Sequence, residues 1–232
     1  MVGGLEARLE LSPGIGKNDA ILETSAYLTQ RLTALRDTIG SSEYTPTQVS
    51  TELVDVYRDA ARKVFSYCLA SVSSDCKEGH FNGALVFIGG YARGDPSFGS
   101  DLDLRFLHRE PEEKLDKYTL NVIKLFNEVI SEIYSRTAKK VFKGKGHDFI
   151  VIANSFDLAE LTEPQQKRSY LVTRFIAGEE DVATAFSDNF ISSRDKITMV
   201  KEIFERYDRV KPVADDVPID LKDSIGGLVI TI

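Results

Sequence analysis

The chain has 232 residues, of which 42% are hydrophobic and 28% are charged. This length and composition are typical of a globular protein with an ample core, and they exclude disorder as the dominant state. The net charge of -7 argues against nucleic acid and anionic membranes as partners. No apolar run approaches the roughly 20 residues that a membrane span needs. Two cysteines, Cys68 and Cys76, build no disulfide scaffold, and they favour a reducing, cytoplasmic location.

The first third of the chain is predicted to be helical. One helix is expected from Asn18 to about Ile39, and Gly40 is expected to cap it. A second helix is expected to start at Thr45-Pro46-Thr47-Gln48, where threonine is the N-cap and glutamine follows three residues later, and to run to about Val72. The apolar residues that recur at helical spacing in the first helix are Ile21, Leu22, Ala26, Leu28, Leu32 and Leu35.

Strand patterns begin after Gly83. The predicted elements are a buried strand at 84–88 that ends in a glycine pair, a strand at 101–107, a helix at 112–136, a strand at 149–152 and several helices within 164–207. The fold class is therefore α/β (α+β), a small mixed sheet with flanking helices and extra N- and C-terminal helices. The domain prediction is a helical lead-in at 1–78, a catalytic core at 79–156 and a C-terminal helical part at 157–232.

Two carboxylates on the predicted strand at 101–107 indicate a metal-binding site. Asp101 and Asp103 are two residues apart, so on a strand both side chains project from one face, while Leu102 and Leu104 point to the core. The Cα atoms are then about 6.6 Å apart, a separation from which both side chains reach one cation. Magnesium suits the pair, because it commonly binds one or two carboxylates together with substrate phosphates.

The residues just upstream are those that hold phosphates. Gly89 and Gly90 end a strand at a point where a short helix can begin, so that backbone N–H groups face an anion without hindrance from a side chain. Arg93 carries a permanent charge that can fork onto phosphate oxygens, and Ser100 places a hydroxyl beside the first aspartate. The pattern predicts a nucleotide-phosphate site that leads into a metal-binding strand.

A site for two metal ions usually needs a third carboxylate. Asp148 is the best candidate, because it opens the strand at 149–152, and an adjacent strand can present it beside Asp101 and Asp103. Asp157 is the second choice.

The stretch GGYARGDPSFGSDLDL, at 89–104, resembles the signature of the nucleotidyltransferase superfamily with the polymerase-beta-like fold. It is most similar to the N-terminal catalytic domain of bacterial protein-PII uridylyltransferases. Three later segments also resemble that family in its order: Gly146-His147, the segment 173–179, which is similar to an arginine-then-glycine-acidic helix, and the segment 220–228, which is similar to the DIK-x-x-x-GGL element.

The chain departs from that family at its end. Where the family continues with arginine and aspartate, the chain has Val229 and Ile230, and the HD hydrolase and ACT domains that follow in the family are not in this sequence. Two readings are open: a piece of a longer protein, or a stand-alone relative with a different target.

The resemblance implies a Mg²⁺-dependent nucleotidyltransferase that moves a nucleoside monophosphate from an NTP to an acceptor hydroxyl and releases pyrophosphate. For the PII-type relatives it implies UTP as donor and a tyrosine hydroxyl of a PII-type signalling protein as acceptor. Asp101 and Asp103 would bind two magnesium ions, and Asp148 would bind the ion that activates the acceptor. The open alternatives are an adenylyltransferase with another protein or small-molecule acceptor, and a non-catalytic nucleotide-sensing module.

Overall fold

The fold is taken from a computed structural model, which describes residues 9–12, 14–39, 44–75, 79–98, 100, 102–110, 112–141, 152–153, 170 and 172–190. The chain divides into two compact units, residues 1–188 and 189–232. Everything described below belongs to the first unit, apart from the last two residues of the final helix.

The two predicted N-terminal helices are confirmed. Helix α1 spans Lys17–Thr38 and helix α2 spans Pro46–Asp75. Thr45 and Gln48 form the predicted capping box, since the Gln48 N–H donates to Thr45 Oγ1 at 3.3 Å and the Thr45 N–H donates to Gln48 Oε1 at 2.8 Å. Gly40 lies outside the described residues.

Helix α1 does not bury all of the apolar residues that recur at helical spacing. Leu22 is 51% exposed and Ala26 is also exposed, while Thr24 and Ser25 are buried in their place. Ser25 tolerates burial because its hydroxyl donates to the Ile21 carbonyl at 2.6 Å, which satisfies the polar group within its own helix.

A small sheet forms the centre of the unit. Strand β1 is Ala84–Phe87, strand β2 is Leu104–Leu107, the two-residue strand β3 is Ile152–Ala153 and strand β4 is Arg174–Gly178. The order across the sheet is β3-β2-β1-β4. Strands β2, β1 and β4 are antiparallel, and β3 lies parallel to β2. The described residues therefore form a mixed α/β fold, as predicted.

Two predicted elements have different bounds. Strand β2 begins at Leu104 rather than at Asp101, so Asp103 immediately precedes the strand and Asp101 lies outside the described residues. Helix α4 spans Lys117–Val141 and follows a 3-10 turn at Glu112–Lys114. The helix starts late because Asp116 caps it, accepting hydrogen bonds from the Thr119 N–H at 2.9 Å and the Thr119 hydroxyl at 2.8 Å.

The prediction of helices throughout 164–207 is wrong for one segment. Residues Arg174–Gly178 form strand β4, which pairs with β1 in the register Phe87↔Arg174 to Ala84↔Gly178. The segment 173–179, expected to be a helix from its resemblance, is therefore mainly a strand. Helix α5, at Glu180–Phe190, follows it. Earlier in the chain, a short helix α3 at Gly89–Arg93 links β1 to the loop before β2.

The core lies between the helices and one face of the sheet. Phe65 of α2, Phe106 of β2 and Phe126 of α4 are all at most 2% exposed, and Phe106 is 5.1 Å from Phe126 between ring centroids in an edge-to-face arrangement. Phe81 also packs against Phe65 and Phe106. Aromatic pairs of this geometry stabilise a core beyond the area that they bury.

In the part of the chain that the structure describes, no helix is both long enough and apolar enough to cross a membrane.

Truncating Phe106 to alanine is expected to lower the free energy of unfolding by about 3–5 kcal/mol, because the change removes the ring at the centre of this cluster and leaves a cavity. Urea titration of the variant and the wild type measures the difference. Leu120→Ala, at a 38% exposed position on α4, is the matched control and is expected to change stability by at most about 0.5 kcal/mol. Equal effects of the two changes would contradict this description of the core.

Candidate active site

The predicted glycine turn lies at the end of strand β1. Ile88 is extended, and its N–H donates to the Asp103 carbonyl at 3.1 Å, which continues the β1–β2 ladder by one residue. Gly89 then takes a φ of 64°, a left-handed conformation that side-chain-bearing residues rarely adopt. The chain turns there directly into helix α3, so the ladder and the helix start meet at one point.

The carboxylate of Asp103 lies against this turn. A Cβ atom built on Gly89 would be 2.9 Å from Asp103 Oδ2, closer than such contacts occur. Position 89 is therefore restricted to glycine twice, by its backbone conformation and by the side chain of Asp103. The result is a carboxylate oxygen beside a glycine turn, at the end of two paired strands. The predicted roles of Gly89 in binding phosphate and of Asp103 in binding a metal ion stay predictions.

The loop after α3 is fixed by several hydrogen bonds. Gly94 ends the helix with a φ of 85°, and its N–H donates to the Gly90 carbonyl at 2.9 Å. Pro96 is buried, and its carbonyl accepts the Ser50 hydroxyl of α2 at 2.8 Å. The start of the long helix α2 thereby holds the loop that leads from the glycine turn back to Asp103.

Arg93, predicted to bind phosphate, is engaged in an ion pair. Its Nε donates to Asp95 Oδ2 at 3.1 Å, and its side chain is 49% exposed. An exposed pair of this kind contributes at most about 1 kcal/mol, so an incoming phosphate can compete for the guanidinium. The structure places Arg93 beside Gly90, where a Cβ atom would be 3.8 Å from Arg93 Nη2.

Ser100, which is also predicted to contact phosphate, forms hydrogen bonds within its own loop. Its hydroxyl accepts the Ser97 N–H at 2.8 Å and lies 2.9 Å from the Ser97 hydroxyl, while its own N–H donates to the Ser97 carbonyl at 3.0 Å. These bonds give Ser100 a structural role in the loop between α3 and Asp103. Its predicted contact with phosphate stays a prediction.

Three buried tyrosines connect the short helix α3 with α2 and, through α2, with α4. Tyr91 of α3 is 2% exposed and packs edge-to-face on Tyr57 of α2 at 5.3 Å between centroids, and Tyr134 of α4 lies 5.7 Å from Tyr57. Burial raises the pKa of Tyr57 and of Tyr134 well above 10, so both phenols stay neutral. No local spacing in the sequence encodes this contact between α3 and the distant helix α2.

The other two predicted metal ligands lie outside the described residues. These are Asp101 and Asp148, together with the second choice, Asp157. Strand β3 does lie beside β2, with Ile152 opposite Arg105, so the third predicted strand neighbours the strand that follows Asp103. Among the described residues, no group of three or more His, Cys, Asp or Glu side chains is arranged to hold a metal ion.

Arg174, in the segment 173–179, is a further residue near the turn. It opens strand β4 opposite Phe87, next to the end of β1. Its guanidinium reaches Gly94, where a Cβ atom would be 3.0 Å from Arg174 Nη2. The resemblance of the segment 173–179 to a family motif was the available signal.

Comparison of the chain with models of known protein families finds no match, and comparison with curated proteins finds no significantly similar sequence. The likeness to protein-PII uridylyltransferases therefore rests on the motifs quoted above.

Replacing Gly89 by alanine is expected to cost about 1–3 kcal/mol of stability through backbone strain, and more through the contact with Asp103. Asp103→Ala should recover part of that loss, giving a coupling of at least about 0.5 kcal/mol in a double-mutant cycle measured by urea unfolding.

Gly14→Ala is the matched control, because Gly14 has a similar φ of 77° but nothing within 4 Å of the added Cβ atom. Its loss should not depend on Asp103. Strictly additive effects of Gly89→Ala and Asp103→Ala would contradict the close contact between the carboxylate and the turn.

Proposed function

We propose that the chain is a Mg²⁺-dependent nucleotidyltransferase with the polymerase-beta-like fold, which transfers a nucleoside monophosphate from an NTP to an acceptor hydroxyl. The observation that carries the proposal is the contact of the Asp103 carboxylate with Gly89. It brings a hard oxygen ligand and a backbone turn without side chains to the same end of the sheet. Metal-assisted phosphoryl chemistry needs that combination, because the metal and the phosphates must be held side by side.

The sheet around the site is consistent with this fold. The two strands joined by the glycine turn and its loop are antiparallel neighbours, and β3 is parallel to β2 on the far side from β1. In the sequence, Asp148 lies in the segment that precedes β3, and Asp101 lies two residues before Asp103. Both assignments rest on the sequence.

The residues present fit magnesium in the described part of the site. Asp103 supplies a carboxylate, and Asp101 and Asp148 are the further residues that would hold the two ions. Bound Mg²⁺ would neutralise phosphate charge and lower the pKa of the acceptor hydroxyl. Gly89 and Gly90 would let the triphosphate approach the backbone closely, and the loop fixed by Ser50 and Ser100 would keep its position relative to Asp103.

The donor and acceptor follow from the resemblance alone. We propose UTP as donor and the tyrosine hydroxyl of a PII-type signalling protein as acceptor. The direct test is pyrophosphate release with Mg²⁺ and each of the four NTPs, with and without a PII protein. UTP-specific release that requires PII supports the full proposal. Release with ATP and another acceptor supports an adenylyltransferase, and nucleotide binding without release under all conditions supports a sensing module.

Asp103→Asn and Asp101→Asn are each expected to lower pyrophosphate release by about a hundredfold or more, because an amide replaces a charged metal ligand and several kcal/mol of transition-state stabilisation are lost. Initial rates at saturating nucleotide measure the effect. The unfolding midpoint should stay close to that of the wild type.

Asp55→Asn is the matched control, since Asp55 is an exposed carboxylate on α2 that pairs with Arg58. It should leave the rate unchanged. Full activity of Asp103→Asn would remove Asp103 from the site.

A further inference from the structure

Arg174 is a partly buried cation at the end of the sheet that carries the glycine turn. Its backbone pairs with Phe87, two residues before Gly89. Among the residues that the structure describes, no carboxylate lies within ion-pairing distance of its guanidinium. Arg93 differs in this respect, because Asp95 already neutralises it. A guanidinium that is partly withdrawn from water without a counter-ion favours the binding of an anion.

Arg93 and Arg174 each lie close to a glycine of α3 or of its C-cap. Gly90 lies in the first turn of the helix, and Gly94 ends it with a φ of 85°. Arg93 Nη2 is 3.8 Å from the Cβ position of Gly90, and Arg174 Nη2 is 3.0 Å from that of Gly94. Since neither glycine has a side chain, each guanidinium group comes close to the backbone at its glycine. With Asp95 included, two positive charges and one negative charge gather there.

Helix α3 begins where Asp103 contacts the turn. At about 1.5 Å of rise per residue, Gly94 lies roughly 7 Å along α3 from Gly89, a distance that two or three linked phosphates can span. A triphosphate whose α-phosphate lies near Asp103 can therefore extend its terminal phosphates toward Arg174.

We propose that Arg174 is a phosphate-binding residue that holds the terminal phosphates of the nucleoside triphosphate, and that it contributes more to this binding than Arg93 does. The inference rests on the proposed nucleotidyltransferase function for the identity of the ligand. The guanidinium suits the task because it stays charged and presents several N–H donors in a fork that matches phosphate oxygens.

The test measures binding rather than turnover, with UTP, UMP and inorganic pyrophosphate as probes, each with Mg²⁺, by isothermal titration. Arg174→Gln should weaken the binding of UTP and pyrophosphate by about 10- to 100-fold, as expected for the loss of a charge-assisted contact. UMP, which lacks the terminal phosphates, should be affected much less. Arg174→Lys keeps the charge and should recover part of the affinity, which separates a lost ligand contact from a misfolded variant.

Arg109→Gln is the matched control, because it removes the same charge from an exposed arginine that pairs with Asp181. It should bind all three probes like the wild type. Arg93→Gln should weaken pyrophosphate binding less than Arg174→Gln does. Unchanged pyrophosphate affinity in Arg174→Gln, or equal losses in Arg174→Gln and Arg109→Gln, would overturn the assignment.

The outcomes also separate this inference from the proposed function. If UTP is turned over but Arg174→Gln binds it like the wild type, the assignment of Arg174 fails and the transferase proposal stands. If pyrophosphate binds through Arg174 but no NTP is turned over, the anion site stands and the transferase proposal fails. If the wild-type chain binds neither pyrophosphate nor UTP, both fail.

Discussion

The close contact between Asp103 and Gly89 is the constraint on which the candidate site depends. The carboxylate occupies the space that any side chain at position 89 would need, and the backbone at position 89 has a conformation that favours glycine. The hydrogen bond that the Ile88 N–H donates to the Asp103 carbonyl extends the strand pairing by one residue and joins the two segments. Because the acid and the turn are joined by a backbone hydrogen bond, their relative position is set by the sheet rather than by a flexible loop.

The rest of the unit keeps that point rigid. Tyr91 anchors α3 to Tyr57 of α2, and Ser50, near the start of the same helix, holds the loop that follows α3 through the Pro96 carbonyl. Strand β4 lies on the other side of β1 and brings Arg174 to the same end of the sheet. One long helix and a strand from distant parts of the sequence thus converge on a helix of five residues and the loop after it. This explains why a short, glycine-containing segment can hold a defined geometry.

The sequence predicted the parts of the fold that local chemistry encodes. The capping box at Thr45 and the turn at Gly89 were found because side-chain type and spacing determine them directly. Strand β4 was missed because its pairing with β1 joins residues 87 to 94 positions apart, and its short sequence RFIAG has no period that distinguishes a strand from a helix. The predicted start of α4 at residue 112 is too early, because the side chain of Asp116 caps the helix by accepting a hydrogen bond from the Thr119 N–H. The proposed role of Arg174 in binding phosphate rests on the closeness of its guanidinium to Gly94, which only the tertiary structure provides.

The most direct test of the account is to locate a bound metal ion relative to the sheet. Mn²⁺ can replace Mg²⁺, and in the presence of a non-hydrolysable UTP analogue it broadens the NMR signals of nearby amides. The account predicts strong broadening at Gly89 and Gly90, with Gly83 and Gly178, at the opposite end of the β1–β4 pair, little affected. Broadening centred on Gly83 and Gly178, uniform broadening, or none at all would contradict a metal–nucleotide site at the Asp103 turn.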